Sequence, residues 1–217
     1  MATGVRAVAV ISGAAALVLT TSCTRVVDDV RAVAAPDMGK AAATASDCTS
    51  VDAPLSSIPE HNDEEPVMRI PQPDGWQRVR TMDSELIRFT MRNQGLATNG
   101  FAPTAVVTLE SHRGVAEPRE VFDAQRDALE TAIGATSVDT TETALCELPA
   151  EVIDYVTPQM GMLPPHPARV VTAVMQSKNM TYAMTLTVQG ADGDDPAYQR
   201  DTDKILTGFQ MLPPADA

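Results

Sequence analysis

Strand-like and helix-like periodicity alternate along this chain in an order that leaves few folds open. Six runs rich in β-branched or aromatic residues read as strands: Val67 to Pro71, Glu85 to Arg92, Ala105 to Ser111, Ala150 to Thr157, Ala168 to Lys178 and Met180 to Gln189. One stripe of helical period separates the first three from the last three, with Val121, Phe122, Ala128, Leu129, Ala132 and Ile133 on one side of Pro118 to Ile133. Pro118 suits the first turn of that helix and Gly134 its end. A second helix starts at Asp195-Pro196, carries Tyr198, Ile205, Leu206 and Phe209 on one side, and stops before Pro213-Pro214. The short link Lys178-Asn179 makes the last two strands a hairpin. Strands, helix, strands and helix in that order lack βαβ alternation. They predict an α+β domain, an antiparallel β-sheet flanked by helices. The turn residues Pro71 to Gly75 lead into Trp76, the only tryptophan, which is expected to plug one end of the core.

The chain has 217 residues, 44% of them hydrophobic, which is material for one core and no second large one. Its net charge of -13 repels a phosphate backbone, so nucleic acid is excluded as a partner.

The amino end carries a different signal. Ala7 to Leu19 is an apolar run behind Arg6, too short to span a bilayer and the right size for a signal-peptide core. It ends in Leu19-Thr20-Thr21-Ser22-Cys23, which resembles the lipobox of bacterial lipoproteins, with Ser22 and Cys23 in place and Thr20 where leucine is commoner. That resemblance implies cleavage before Cys23 and attachment of diacylglycerol and palmitate to it. Several acyl chains hold a protein on a membrane where one chain binds reversibly. Residues 1–22 are thus read as a signal peptide, 23–65 as a lipid-anchored acidic tether and 66–213 as a single α+β domain. The location is the extracytoplasmic face of the cell membrane, with shedding as a further route. With Cys23 acylated, Cys48 and Cys146 remain as an even pair in an oxidising compartment, and a disulfide between them is expected, two free thiols being the alternative.

The lipobox cysteine, the Ala/Thr-rich acidic tether, the Ile70-Pro71-Gln72-Pro73-Asp74-Gly75-Trp76 turn, the central helix and the Pro-terminated final helix together resemble the LpqN/LpqT lipoproteins of actinobacteria. The resemblance implies a mycobacterial-type cell-envelope lipoprotein with a Mog1/PsbP-like sandwich, Cys23 as anchor and no catalytic residue. It also implies a binding role in envelope biogenesis or host contact.

The remaining motifs are weak. Met160-Gly161-Met162-Leu163-Pro164-Pro165-His166 joins two thioethers and an imidazole, ligands that suit copper, so a periplasmic metal carrier through Met160, Met162 and His166 is the alternative function. A Pro-stiffened loop whose methionines pack on the core explains the same residues. Glu60 to Glu65, with His61, reads as a solvated acidic loop rather than a metal site. Asp192-Gly193-Asp194-Asp195 lacks the spacing of a calcium loop and reads as a turn and helix cap. No G-x-S-x-G, phosphate-loop or dinucleotide signature occurs. The expectation is therefore a non-enzymatic binding module without cofactor, held to the membrane by its lipid. Its partner would be a cell-wall lipid or an envelope or host protein.

Overall fold

Alternation along each strand sends successive side chains to opposite faces, and here both faces of one large sheet are put to use. The computed structural model describes residues 44–214. Its elements are β1 (Leu55–Ile58), β2 (Val67–Pro71), β3 (Trp76–Arg78), β4 (Ile87–Asn93), β5 (Thr104–Arg113), α1 (Pro118–Ala128), β6 (Thr136–Leu145), β7 (Leu148–Val156), β8 (Pro167–Ser177), β9 (Met180–Gln189), α2 (Pro196–Thr207) and β10 (Gln210–Leu212). Seven strands form one antiparallel sheet in the order β3-β4-β5-β9-β8-β7-β6, and β1-β2-β10 form a second.

One face of the large sheet carries the main core. Ala105, Val107 and Leu109 of β5 stand opposite Val188, Leu186 and Met184 of β9, all buried. On them pack Ile58, Met68, Ile70 and Met211 from the small sheet and Tyr198, Ile205 and Leu206 from α2. The other face holds a smaller cluster in which Leu129 and Ala135 cover Ile153, Tyr155, Ala168 and Val170 of β7 and β8. The α+β expectation therefore holds, with a small sheet and α2 on one side and α1 on the other.

Tight turns fix the register. Lys178, at φ 55, turns β8 into β9 with Ser177 opposite Met180. Cys146 and Glu147, at φ 49 and 65, turn β6 into β7 with Leu145 opposite Leu148, a two-residue hairpin of the I′ kind. Gly75 takes φ 86, and a Cβ there would lie 2.9 Å from the Asn93 side chain, so this turn requires glycine.

Several expectations change. The body begins before residue 66: β1 pairs with β2 from Leu55↔Pro71 to Ile58↔Met68, and Cys48 is bonded to Cys146, so the carboxyl-terminal part of the expected tether is built into the domain. Its sequence Leu-Ser-Ser-Ile places two apolar residues three apart, which gives no strand alternation, and only Ile58 is buried. The helix at Pro118 is α-helical only to Ala128 and continues as a π-helical turn over Leu129–Ile133, closed by Gly134 at φ 80. The wider turn rotates the later residues off the stripe, so Leu129 is buried and Ile133 is half-exposed. The second helix is followed by β10 rather than by the end of the fold.

Candidate functional site

α2 borders three depressions of the described surface, while a fourth lies apart from it beside His61 and Arg88. Asp195 caps it, its Oδ1 accepting from the Ala197 and Tyr198 amides at 2.7 and 2.9 Å, and Pro196 opens it. The cap accounts for the acids of Asp192 to Asp195; Asp192 itself accepts from the Asp194 amide.

On one side, a polar depression of about 550 Å3 separates α2 from the Val51 to Pro54 segment and the β3 turn. Arg200 and Lys204 stand on the helix, with Asp52 and Asp74 across from them. Its inner wall is a buried contact: Trp76 Nε1 donates to Asp201 Oδ2 at 3.0 Å. Lys204 Nζ donates to the Asp52 carbonyl at 3.0 Å and ties the amino-terminal strap to the helix. Asp201 was not singled out in sequence, though a carboxylate three residues after Tyr198 and four before Ile205, on an otherwise apolar stripe, is the signal that marks it.

On the opposite side, Arg169 of β8 bridges Asp154 of β7 at 2.6 Å and Asp203 of α2 at 3.2 Å. This ridge divides a depression of about 240 Å3 beside Tyr198 and Thr202 from one of about 270 Å3 beside Leu145, Val171 and Leu206. Burial pushes the Tyr198 phenol up to about 12. Between sheet and helix the space is filled: Phe209, Met68, Met91, Met184, Leu186 and Ile205 are each at most 1% exposed. The space directly beneath α2 is filled, and the two depressions open outward where the flank of the helix meets β7 and β8.

The residues singled out from sequence are distributed as follows. Cys23 and the signal peptide lie outside the described residues. Cys48 and Cys146 form the expected disulfide across 98 residues, at the end of the core beneath Phe209, whose carbonyl lies 3.8 Å from Cys146 Sγ. Met160, Met162 and His166 do not converge. Met162 is fully exposed, whereas His166 is 2% exposed with Nδ1 3.0 Å from both Thr157 Oγ1 and the Pro164 carbonyl, and Nε2 3.2 Å from Gln189 Oε1. Its ring also meets Phe101. Both imidazole nitrogens are engaged, so the three residues form no ligand set, and the expectation that the methionines pack on the core fails too: Met160 and Met162 are both exposed and only His166 is buried. Among the described residues, no group of three or more His, Cys, Asp or Glu could hold a metal ion. His61 lies instead against Arg88, which is also paired with Glu65, so the acidic segment folds onto one buried guanidinium. Trp76 plugs the core as expected, 2% exposed.

A family model described as "Probable lipoprotein LpqN" matches residues 50–212, well over half of the chain. The chain belongs to this family. Among solved structures, LpqN of Mycobacterium tuberculosis, described as involved in cell envelope biogenesis, superposes with a TM-score of 0.61 at 16% identity, over 74% of this chain and 91% of that one. That likeness shows a shared fold. The Ran-binding protein Mog1p of Saccharomyces cerevisiae aligns over 75% of this chain and 97% of its own, at a TM-score of 0.45 and 9% identity, too distant to add to the fold assignment. Among curated proteins, none matches the chain in sequence. The LpqN match begins at residue 50, so it takes in β1 and agrees with a domain that starts ahead of residue 66.

Proposed function

We propose that this LpqN-family protein is a lipid-anchored envelope lipoprotein whose domain acts without catalysis as a docking module, taking a protein partner through the outward face of α2 and the polar depressions beside it. The filled space beneath α2 carries this reading, because a module for acyl chains needs an apolar cavity and side chains occupy that volume. The mixed charges of Arg200, Lys204, Asp52 and Asp74 suit the polar, salt-bridged rim of a protein interface. The non-enzymatic part is supported by the burial of the hydroxyl–imidazole contact between Thr157 and His166, each at most 3% exposed and beyond reach of a substrate. The role of M. tuberculosis LpqN in envelope biogenesis makes an envelope protein the first candidate class of partner.

A photo-reactive side chain placed at Arg200 in the native host is expected to give a discrete protein adduct. The same group at the exposed Met162 is expected to give none. Adducts of equal pattern at both positions, or bound acyl lipid recovered from the purified domain by native mass spectrometry, would overturn the protein-docking reading. For the anchor, an alkyne palmitate analogue is expected to label the chain and to leave Cys23→Ala blank; label retained in that variant removes the anchor.

A further inference from the structure

The large sheet ends in two very different edges. At one, β3 is three residues long; at the other, β6 runs for ten, from Thr136 to Leu145. The outer strands of the small sheet, β1 and β10, have four and three residues. An unpaired strand edge offers a row of backbone donors and acceptors, and proteins blunt such edges with lysine, proline or short length. β6 has neither lysine nor proline; a bulge between Thr136 and Asp139, with Ser137 at φ 54, interrupts its start, and the regular open edge runs from Asp139 to Leu145. Asp139 through Ala144 are all exposed, and among the described residues only β7 pairs with the strand.

The hairpin turn tells which groups face outward. In a two-residue hairpin the residues flanking the turn exchange both backbone hydrogen bonds, and the hydrogen-bonded state then alternates along the strand. Leu145 and Leu148 flank the turn, so Leu145, Thr143 and Thr141 bond to β7, while Ala144, Glu142 and Thr140 direct their N–H and C=O to the free edge. The Thr140 amide accordingly donates to the neighbouring Asp139 Oδ1 at 3.1 Å rather than across the ladder, an exposed local contact that an added strand would replace.

Charge selects the occupant. Asp139 and Glu142 stand on opposite faces of the strand, and among the described residues no cation pairs with either. Their cross-strand neighbours are also acidic, but Asp154 is taken by Arg169 and Glu151 by Arg126. Joining two copies along β6 would bring four carboxylates and no cation to one seam, between chains each of net charge -13.

We infer that β6 is a strand-addition site for an extended segment of a partner protein that carries lysine or arginine. The outward groups of Thr140, Glu142 and Ala144 supply the main-chain hydrogen bonds, and Asp139 and Glu142 select basic side chains. The strand shares Thr143 to Leu145 with the depression beside Leu206, and strand addition uses the backbone edge of β6 rather than that depression.

Amide hydrogen exchange resolved by residue tests this on the full chain. The probe is a peptide as long as β6, with lysines on both faces among threonines. At a peptide concentration about ten times its Kd, the Thr140, Glu142 and Ala144 amides are expected to slow by about elevenfold, while Thr141 and Thr143, already in the ladder, stay unchanged. Thr140→Pro, which removes an outward N–H, is expected to abolish that slowing in a folded protein, and a proline-interrupted peptide is expected not to bind. Binding without slower exchange at the outward amides would reduce the contact to side-chain charge and overturn the inference. So would outward amides already slow in the chain alone, which would mean that its own amino-terminal segment covers the edge. Slowing that rises with protein concentration in the absence of peptide would assign the edge to a second copy and overturn it equally.

Discussion

The Cys48–Cys146 bond should dominate the stability of this domain through the unfolded chain rather than through native contacts. It closes a loop spanning 98 residues, and the chain-entropy relation gives about 4.7 kcal/mol at 25 °C for a loop of this length, an upper figure. Replacing both cysteines by alanine leaves the rest of the strap in place. Lys204 still holds the Asp52 carbonyl, Val51 still packs at Gly208 and β1 still pairs with β2. The folded form is therefore expected to persist while the denatured chain gains freedom. For a urea slope of about 2 kcal/mol/M, a loss of about 3 to 4.7 kcal/mol lowers the midpoint by about 2 M. Trp76, the only tryptophan and 2% exposed, reports the transition by fluorescence. A midpoint within about 0.5 M of the wild type at an unchanged slope would refute the loop argument. Two free sulfhydryls titrated at Cys48 and Cys146 in the denatured, unreduced protein would remove the bond itself.

Three further outcomes are expected. Asp201→Ala strips the acceptor from the buried Trp76 N–H and should cost about 1–3 kcal/mol in urea unfolding, whereas Asp201→Asn keeps an oxygen there and should recover most of it; equal losses in the two variants would show that the hydrogen bond contributes nothing. Gly208→Ala places a methyl 2.3 Å from Val51 Cγ2 and 2.9 Å from Pro71 Cγ, at an ordinary φ of -91, so about 1–3 kcal/mol of overpacking is expected, and an unchanged midpoint would mean the strap yields freely. Tyr198 ionises near 10 when unfolded and about 12 when folded, so the unfolded chain holds fewer protons in that window and stability falls as pH rises from 10 towards 12. The contribution, about 2–3 kcal/mol, is fully present below pH 10 and is lost as pH rises to 12 and beyond. Tyr198→Phe should flatten the alkaline limb, leaving a remainder from Tyr155, whose phenol burial also raises; an identical limb in that variant contradicts the assignment.

Local chemistry made much of the fold legible beforehand. The hairpin of β8 and β9, the Asp195-Pro196 start of α2, the Gly134 stop and the buried Trp76 each follow from period, cap or turn residues a few positions apart. The cysteine pair followed from compartment and parity, and the family from motifs spread along the whole chain. The α2 depressions were not legible, because Asp201 meets Trp76 across 125 residues and Arg169 meets Asp203 across 34, and no window of sequence records such distances.

β6 marks the boundary most clearly. Its run of Thr136 to Leu145 shows no apolar alternation, since an edge strand with both faces open needs none, and only pairing with β7 makes it a strand. His166 shows the converse: beside Met160 and Met162 in sequence it resembles a ligand, and the packed sheet instead buries it among Thr157, Pro164 and Gln189. Sequence determined the class, the caps, the turns and the cross-link, because those depend on short-range sterics and on which residue types are present. Tertiary structure alone decided which edge stays open, which polar groups are enclosed and what gathers around α2, because burial depends on parts of the chain that meet only when it has folded.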